Sequence, residues 1–302
     1  MIARAPGKLV ISGAYAVLSG APAIVSAVDR YVIADTSRQA ELSTPELSAA
    51  LGDRPAPFFD AAALFKDGRK LGLGSSAAIL VASLAALELD ARAPLTDSEL
   101  CASVLGRALT AHALAQRGGS GVDVAASSHG GTLVVRREEG TLTVQRAELP
   151  PGLNLAVWAS GVPVSSQKML ELVQGLSERD PAAHQAALAP QSRAAERAAA
   201  ALERRDASAL VETIATQHEA LYRLGSAAGA PIITDAVREL HRLACRERAC
   251  VIPSGAGGGD IALYVGLQAP SSALRKRAEA LGHEWLDLKL GARGVHAADG
   301  PD

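Results

Sequence analysis

"KLGLGSSAAILVASLAAL", residues 70–87, places two glycines and two serines directly before a long apolar run. The run predicts a buried helix from about Ser75 to Leu89. The first N–H groups of a helix lack partners inside it and carry partial positive charge, and glycines let the backbone approach an anion closely. The stretch therefore predicts a helix start that binds phosphate. A tight turn with a serine cap explains the same residues, so both interpretations stay open at this point.

The loop differs from two common phosphate-binding patterns. No lysine follows the glycines, as GxxxxGK[ST] requires, and Ala77 stands where the third glycine of GxGxxG would be. We expect Gly72 and Gly74 to shape the loop. Ser75 and Ser76 are expected to cap the helix, contact phosphate or offer a hydroxyl to Mg²⁺.

The composition is that of a folded protein of about two domains. The chain has 302 residues, of which 48% are hydrophobic, and a formal net charge of −2. This charge argues against a general nucleic-acid binder, and the apolar runs are too short to suggest a membrane partner. The three cysteines form no CxxC pair, which favours a reducing, cytoplasmic location.

The first half of the chain predicts strands followed by helices. Short β-branched runs within residues 2–38 indicate strands, and the polar residues 39–58 indicate a surface excursion. Thr96, with Glu99 three residues later, forms a capping-box pattern that predicts a second helix to about residue 116. The glycine-rich residues 117–131 predict a turn before the strand "TLVVRRE".

The second half predicts helices laid on a small antiparallel sheet, so the fold class is α+β. "LPPG" at residues 149–152 indicates a boundary between a domain of residues 1–150 and one of residues 151–302. Apolar runs at "LNLAVWAS", "ACVIP", "DIALYVG" and "EWLDLKL" predict strands. Periodic apolar positions predict helices over residues 166–177, 181–204, 207–225 and 231–246.

Three stretches resemble the three motifs of the GHMP kinase family. They are "APGKLVISGAYAVLSGAPAIV" at residues 5–25, "LGLGSSAA" at 71–78 and "PSGAGGGD" at 253–260, in the family's order. The resemblance covers nearly the whole chain. It implies an N-terminal ATP-binding domain like the second domain of ribosomal protein S5, and a ferredoxin-like C-terminal domain.

The resemblance also implies an activity. The openings typical of galactokinases and of diphosphomevalonate decarboxylases are missing, and the chain looks most like the members that phosphorylate phosphomevalonate with ATP and Mg²⁺. The implied partners are these two small molecules, without nucleic acid or membrane, for a monomer or homodimer. A kinase acting on mevalonate, another small-molecule kinase of the family and a nucleotide-binding homologue without turnover remain as alternatives.

The motifs imply roles for particular residues. Lys8 resembles the lysine whose ammonium faces the reacting oxygens, and Asp123 the aspartate that orients the acceptor. On the residues alone, Lys8 could be a surface lysine and Asp123 the polar residue of a turn. The predicted ATP-binding residues are Gly72, Leu73, Gly74, Ser75, Ser76 and Ala77. Ser75 and Ser76 are also the predicted ligands of Mg²⁺.

The acceptor is assigned to three short segments. An ordinary turn needs only one or two residues with positive φ, and a run of glycines supplies more than that. The surplus suggests that the backbone is wrapped closely on a ligand. Two serines that begin a predicted helix suggest a second anion pocket, although a plain helix cap explains them equally well. The predicted acceptor-binding residues are Ser120, Gly121, Ser165, Ser166, Ser254, Gly255, Ala256 and Gly257.

The chain departs from the family's pattern at three positions. Ala14 stands where most relatives carry Glu, and Ile252 where relatives often carry Lys. The position of a metal-binding Glu in mevalonate kinases falls near His112, and histidine is a poor partner for Mg²⁺. These differences predict that Mg²⁺ is held by ATP phosphates, by Ser75 or Ser76 and by water, or that the site is incomplete.

Overall fold

The computed structural model describes residues 1–92, 94–116, 118–138, 140–160 and 166–298. Its strands are β1 (Ile2–Ser12), β2 (Ala23–Gln39), β3 (Pro57–Asp60), β4 (Phe65–Lys66), β5 (Arg69–Lys70), β6 (Thr132–Glu138), β7 (Thr141–Ala147), β8 (Asn154–Ala159), β9 (Cys250–Pro253), β10 (Ile261–Gly266), β11 (Glu284–Leu286) and β12 (His296–Ala297). Its α-helices are α1 (Pro45–Leu51), α2 (Ser75–Arg92), α3 (Asp97–Ala115), α4 (Val122–His129), α5 (Ser166–Arg179), α6 (Pro181–Glu203), α7 (Ala207–Ala228), α8 (Asp235–Cys245) and α9 (Ser272–Ala280). Short 3-10 helices cover Ala16–Ser19 and Ala62–Leu64.

The chain forms two compact units that are assembled from interleaved segments. Unit 1 contains Met1–Leu9, Val25–Leu133 and Leu288–Asp302, and unit 2 contains Val10–Ile24 and Val134–Asp287. Strands β1, β2 and β6 each contribute residues to both units. The division into domains 1–150 and 151–302 stays a prediction.

In unit 1, a strand near the end of the chain pairs with the first strand. β12 runs antiparallel to β1, with Ala297 opposite Ala3. β3 pairs antiparallel with β2, with Asp60 opposite Ile33. Residues 288–298 therefore complete the fold of unit 1, although they follow unit 2 in sequence.

Helix α2 is the central helix of unit 1. It is buried on all sides from Ala77 to Ala86, because its residues there are apolar or small around the whole circumference. Helices α1, α3 and α4 pack against it. The helix predicted from Ser75 is confirmed, and so is the capping box that joins Thr96 and Glu99 at the start of α3.

Unit 2 contains the predicted small antiparallel sheet, and its strand order is β11-β8-β10-β9. The central strand β10 is buried along its whole length. Trp158 on β8 is fully buried and meets the rings of Tyr264 and Trp285 edge-on, with centroids 6.4 and 5.5 Å away. Aromatic pairs in this orientation are favourable and fix the packing of the sheet. Helices α5, α6 and α7 begin at the predicted residues and end within three residues of the predicted ends, whereas α8 begins four residues later than predicted.

Three local predictions are wrong. Residues 122–129 form the helix α4 and not a turn, because the glycines lie only at its ends and tertiary packing stabilises a short helix. The predicted polar excursion 39–58 contains α1, which Thr44 caps through its side chain. The predicted strand at residues 284–290 ends at Leu286. Among the described helices, none is long and apolar enough to cross a bilayer.

Two buried histidines stack on each other in unit 2. The rings of His218 on α7 and His241 on α8 lie 3.7 Å apart and 11° from parallel. His218 Nδ1 donates a hydrogen bond to the Val251 carbonyl at 2.8 Å. Burial, together with the neighbouring His241, lowers the pKa of His218 to about 4. Burial also lowers the pKa of His241, so the pair is neutral at pH 7.

The histidine pair predicts a loss of stability as the pH falls. In the unfolded chain His218 takes up a proton below about pH 6.5, whereas in the folded chain it does so only near pH 4. Its contribution is complete above pH 6.5 and declines towards pH 4. We expect the free energy of unfolding to fall by about 2 kcal/mol from His218 alone between pH 7.5 and 5. Urea denaturation at a series of pH values measures this change.

His218→Gln is the matched variant, since its side-chain amide can still donate to the Val251 carbonyl. We expect the variant to have a flatter dependence of stability on pH over the same interval. A wild-type protein whose unfolding free energy stays constant from pH 7.5 to 5 would contradict the assignment.

Candidate active site

The loop before α2 leads directly into the first turn of this helix in unit 1. The Gly74 carbonyl accepts a hydrogen bond from the Ala78 N–H at 3.2 Å, so Gly74 occupies the position before the first helical residue. Capping the helix was one of the roles expected of Ser75, but Ser75 is the first residue inside the helix, and Ser76 follows. The N–H groups of this first turn point out of the helix end, which gives an electropositive site for an anion.

Lys8 lies across this loop. Its backbone N–H donates to the Leu73 carbonyl at 2.8 Å, and its ammonium Nζ donates to the Gly72 carbonyl at 3.3 Å. A Cβ at Gly74 would lie 2.9 Å from both Cγ and Cε of Lys8, and the φ of Gly74 is 78°. Only glycine leaves room for the lysine stem and adopts this backbone without strain. The structure thus brings together Lys8 and the predicted ATP-binding loop.

Asp123 is the second residue of α4. Gly121, with a left-handed φ of 77°, precedes the helix, and the Ser120 hydroxyl lies 3.5 Å from the Val122 nitrogen. The Asp123 carboxylate accepts a hydrogen bond from the Val124 N–H at 3.0 Å. A carboxylate in the first turn of a helix is stabilised by the helix dipole.

A side-chain hydrogen bond ties α4 to β1. The Ser127 hydroxyl is buried and donates to the Pro6 carbonyl at 2.8 Å. Asp123 is four residues before Ser127, so both lie on one face of α4. The carboxylate is therefore carried on the helix face that lies against β1, where Lys8 is two residues beyond Pro6.

His112 is the partner of Asp123 that the sequence did not reveal. Its Nε2 lies 3.4 Å from the Asp123 Oδ1, and its side chain is only 6% exposed. The other ring nitrogen, Nδ1, is buried and has no hydrogen-bond partner among the described residues. The imidazole thus lies in contact with the carboxylate. The sequence pointed to His112 only as the place of a missing metal ligand.

Gly119 leaves room for this histidine. A Cβ at Gly119 would lie 2.9 Å from the His112 Nε2 and 3.1 Å from the Cβ of Gln116. The glycine-rich segment before α4 thus packs directly over the imidazole. Part of its glycine content is required by packing inside the protein.

The predicted acceptor-binding residues of unit 2 lie in the loop between β9 and β10. The Ser254 hydroxyl oxygen accepts a hydrogen bond from the Val10 N–H at 2.8 Å. A Cβ at Gly257 would lie 2.3 Å from the Ile232 carbonyl oxygen. Gly257 is thus required by a close contact within the protein, whereas the sequence suggested a ligand as the reason for the whole glycine run. Ala256 offers its carbonyl to a tyrosine hydroxyl described below.

One further predicted acceptor residue, Ser166, lies at the start of α5. Ser166 is the first residue of this helix and is exposed. Ser165 lies outside the described residues. The involvement of both serines in acceptor binding stays a prediction.

The donor atoms at the start of α2 suit a metal ion that arrives with phosphate groups. In the described ranges, no group of three or more His, Cys, Asp or Glu side chains could hold a metal ion by itself. Ser75 is buried and Ser76 half-buried. Mg²⁺ commonly takes few protein oxygens and completes its shell with substrate phosphates and water. The hydroxyls of Ser75 and Ser76 fit that pattern.

No protein-family model matches the chain. It is 27% identical to a phosphomevalonate kinase of a Streptomyces species, over an alignment of 372 positions that covers 98% of both chains. The crystal structure of the Lin0012 protein of Listeria innocua is similar with a TM-score of 0.84, at 23% identity over 99% of both chains. Streptococcus pneumoniae phosphomevalonate kinase, in complex with phosphomevalonate and AMPPNP, has a TM-score of 0.76 at 20% identity, over 96% of this chain and 100% of that one.

These similarities confirm the α+β, two-domain fold that the motifs implied. The similarity in sequence extends over the whole chain and not only over the glycine-rich loops. The chain is thus similar over its whole length to a phosphomevalonate kinase and shares the fold of solved kinase structures, which agrees with the resemblance of its three ordered motifs to those of the GHMP kinases.

Proposed function

We propose that the protein is an ATP-dependent kinase that transfers the γ-phosphoryl group of ATP to phosphomevalonate. The products are diphosphomevalonate and ADP, on the mevalonate route to isoprenoids. The observation that carries the proposal is the Lys8 side chain, which lies across the glycine loop at the start of α2. Support for the acceptor comes from the Streptomyces relative's name and from the Streptococcus kinase, which binds phosphomevalonate and an ATP analogue.

The triphosphate would bind at the start of α2. Backbone N–H groups of Ser75, Ser76 and Ala77 are suited to phosphate oxygens, because the helix dipole and the outward N–H bonds act in the same direction. Gly72 and Gly74 let the backbone follow the phosphates without a Cβ in the way, and the Leu73 side chain is buried inside the protein. The Lys8 ammonium adds a full positive charge beside the loop.

Lys8 and Asp123 would act on the transferred group and on the acceptor. Phosphoryl transfer requires positioning and charge stabilisation more than covalent participation of the protein. Lys8 offsets negative charge that grows on the phosphoryl oxygens. Asp123 accepts a hydrogen bond from the acceptor, while His112 holds its carboxylate in place. The acceptor is itself a phosphate monoester and already acidic, so a strong general base is less necessary than for an alcohol.

Mg²⁺ would be held by ATP phosphates, by the Ser75 or Ser76 hydroxyl and by water. When bound, it neutralises charge on the phosphate oxygens. We further propose a cytoplasmic location. The cysteines Cys101, Cys245 and Cys250 are all free thiols, as suits a reducing compartment.

A coupled assay of ADP release tests the proposed acceptor. The protein is supplied with MgATP and with phosphomevalonate, with mevalonate, or with no acceptor. We expect turnover with phosphomevalonate only. Turnover with mevalonate alone would assign the protein to the alcohol-acceptor kinases, and tight ATP binding without ADP release in any arm would assign it to non-catalytic homologues.

Gly74→Ala tests the contact between Lys8 and the loop. The new methyl group meets the lysine stem, so we expect affinity for an ATP analogue to fall by about 10-fold or more, as measured by calorimetry. Gly68→Ala is the matched control. Gly68 has a similar φ of 73°, and a Cβ there meets nothing within 4 Å.

Both substitutions carry a backbone strain of about 1–2 kcal/mol. Only Gly74→Ala should weaken nucleotide binding beyond what this shared loss of stability explains. Equal nucleotide affinity in the two variants would contradict the placement of the triphosphate at this loop.

Asp123→Ala tests the role of the carboxylate. We expect kcat to fall by about 10²–10⁴-fold, while affinity for the nucleotide changes by less than about two-fold. Asp60→Ala is a suitable control, because Asp60 likewise accepts a backbone N–H, from Ala62, but lies exposed on the surface. An Asp123→Ala variant as active as Asp60→Ala would remove Asp123 from the mechanism.

A further inference from the structure

Tyr15 occupies an unusual backbone turn in unit 2. Its φ is 64° and its ψ −47°, and the Ala16 N–H donates to the Ala14 carbonyl at 2.8 Å across it. This is a three-residue turn with positive φ at its centre, a conformation that is rare and strained for a bulky residue. Such a conformation persists only where the surroundings enforce it, and it is frequent at functional sites.

Two buried glutamines enforce the turn. The Gln217 side chain accepts a hydrogen bond from the Gly13 N–H at 3.0 Å and donates one to the Ser12 hydroxyl at 2.7 Å. The Gln191 side chain donates to the Ala14 carbonyl at 3.1 Å. Both glutamines are fully buried. Three consecutive residues before Tyr15 are therefore fixed by side chains from α6 and α7.

The enforced turn directs the Tyr15 hydroxyl to the loop between β9 and β10. The hydroxyl donates to the Ala256 carbonyl oxygen at 2.5 Å, and Tyr15 is 5% exposed. Burial raises the pKa of Tyr15, so the hydroxyl keeps its hydrogen and remains a donor. The Val10 N–H makes a second bond to this loop, at Ser254. The first and third sequence motifs are thus joined by two hydrogen bonds.

The loop of residues 254–259 depends on contacts with other segments for its order. Gly255, Gly257, Gly258 and Gly259 all have positive φ, between 77° and 116°. Glycines have the largest backbone freedom to lose on ordering, so a loop of this composition is disordered easily unless outside contacts fix it. Ordering a binding loop before the ligand arrives improves affinity, because the ligand no longer has to order it.

We propose that Tyr15 is a positioning residue for acceptor binding. Its strained turn holds the hydroxyl against Ala256 and keeps the loop of residues 254–259 in the conformation that receives the acceptor. The inference rests on the proposed function in one respect, the assignment of this loop to the acceptor. The contact itself does not depend on it.

Tyr15→Phe tests the proposal, with Tyr264→Phe as the matched control. Tyr264 is fully buried in the same unit, and its hydroxyl also donates to a backbone carbonyl, that of Gln268, at 2.9 Å. Each variant removes one part-buried hydrogen bond from a tyrosine hydroxyl to a backbone carbonyl. Only Tyr15→Phe is expected to raise KM for phosphomevalonate, by about 10-fold, with KM for ATP within about two-fold of wild type.

Hydrogen exchange in the absence of substrates gives a second readout. We expect amide exchange in residues 254–259 to quicken by about 10-fold in Tyr15→Phe and to stay unchanged in Tyr264→Phe. Unchanged exchange in Tyr15→Phe would overturn the positioning role. Faster exchange with an unchanged acceptor KM would overturn its link to the acceptor. If wild-type protein turns over no acceptor, the proposed function fails, while the exchange experiment still decides whether Tyr15 holds the loop.

Discussion

The contact of Lys8 with the glycine loop is the constraint on which the candidate site depends. The lysine backbone fixes the loop through Leu73, and its side chain fills the space that Gly74 leaves by having no Cβ. One residue of β1 thus determines where the loop lies and where a positive charge lies next to it. A helix end with exposed N–H groups binds anions weakly alone, and a fixed ammonium adds a full charge at the same place.

The second part of the site depends on a buried serine and a buried histidine. The Ser127 bond to Pro6 fixes the face of α4 that carries Asp123, and His112 contacts the carboxylate from α3. The contact also explains why glycine precedes α4, since a side chain at Gly119 would collide with the imidazole. A carboxylate held in this way does not need to be ordered by its ligand, which favours precise orientation of an acceptor.

Unit 2 shows that a glycine in such a motif can be required by the fold itself. Gly257 is a glycine because the Ile232 carbonyl occupies the place of a side chain. The same loop is held by Ser254 and by the strained Tyr15 turn, which two buried glutamines stabilise. Burying a polar side chain without a partner costs free energy. Because two buried glutamines both bond to the turn at Tyr15, the fold maintains the conformation of this turn.

The sequence by itself determined the class of fold, the helices of the second half and the loop before α2. These features depend on local periodicity, on capping residues and on short motifs. Each of these signals comes from residues that are close together in the sequence. Only the tertiary structure decided that residues 122–129 are helical, that His112 contacts Asp123 and that Tyr15 reaches Ala256. Such contacts join residues from 11 to 241 positions apart, and their geometry follows from packing, for which a single sequence carries no local signal.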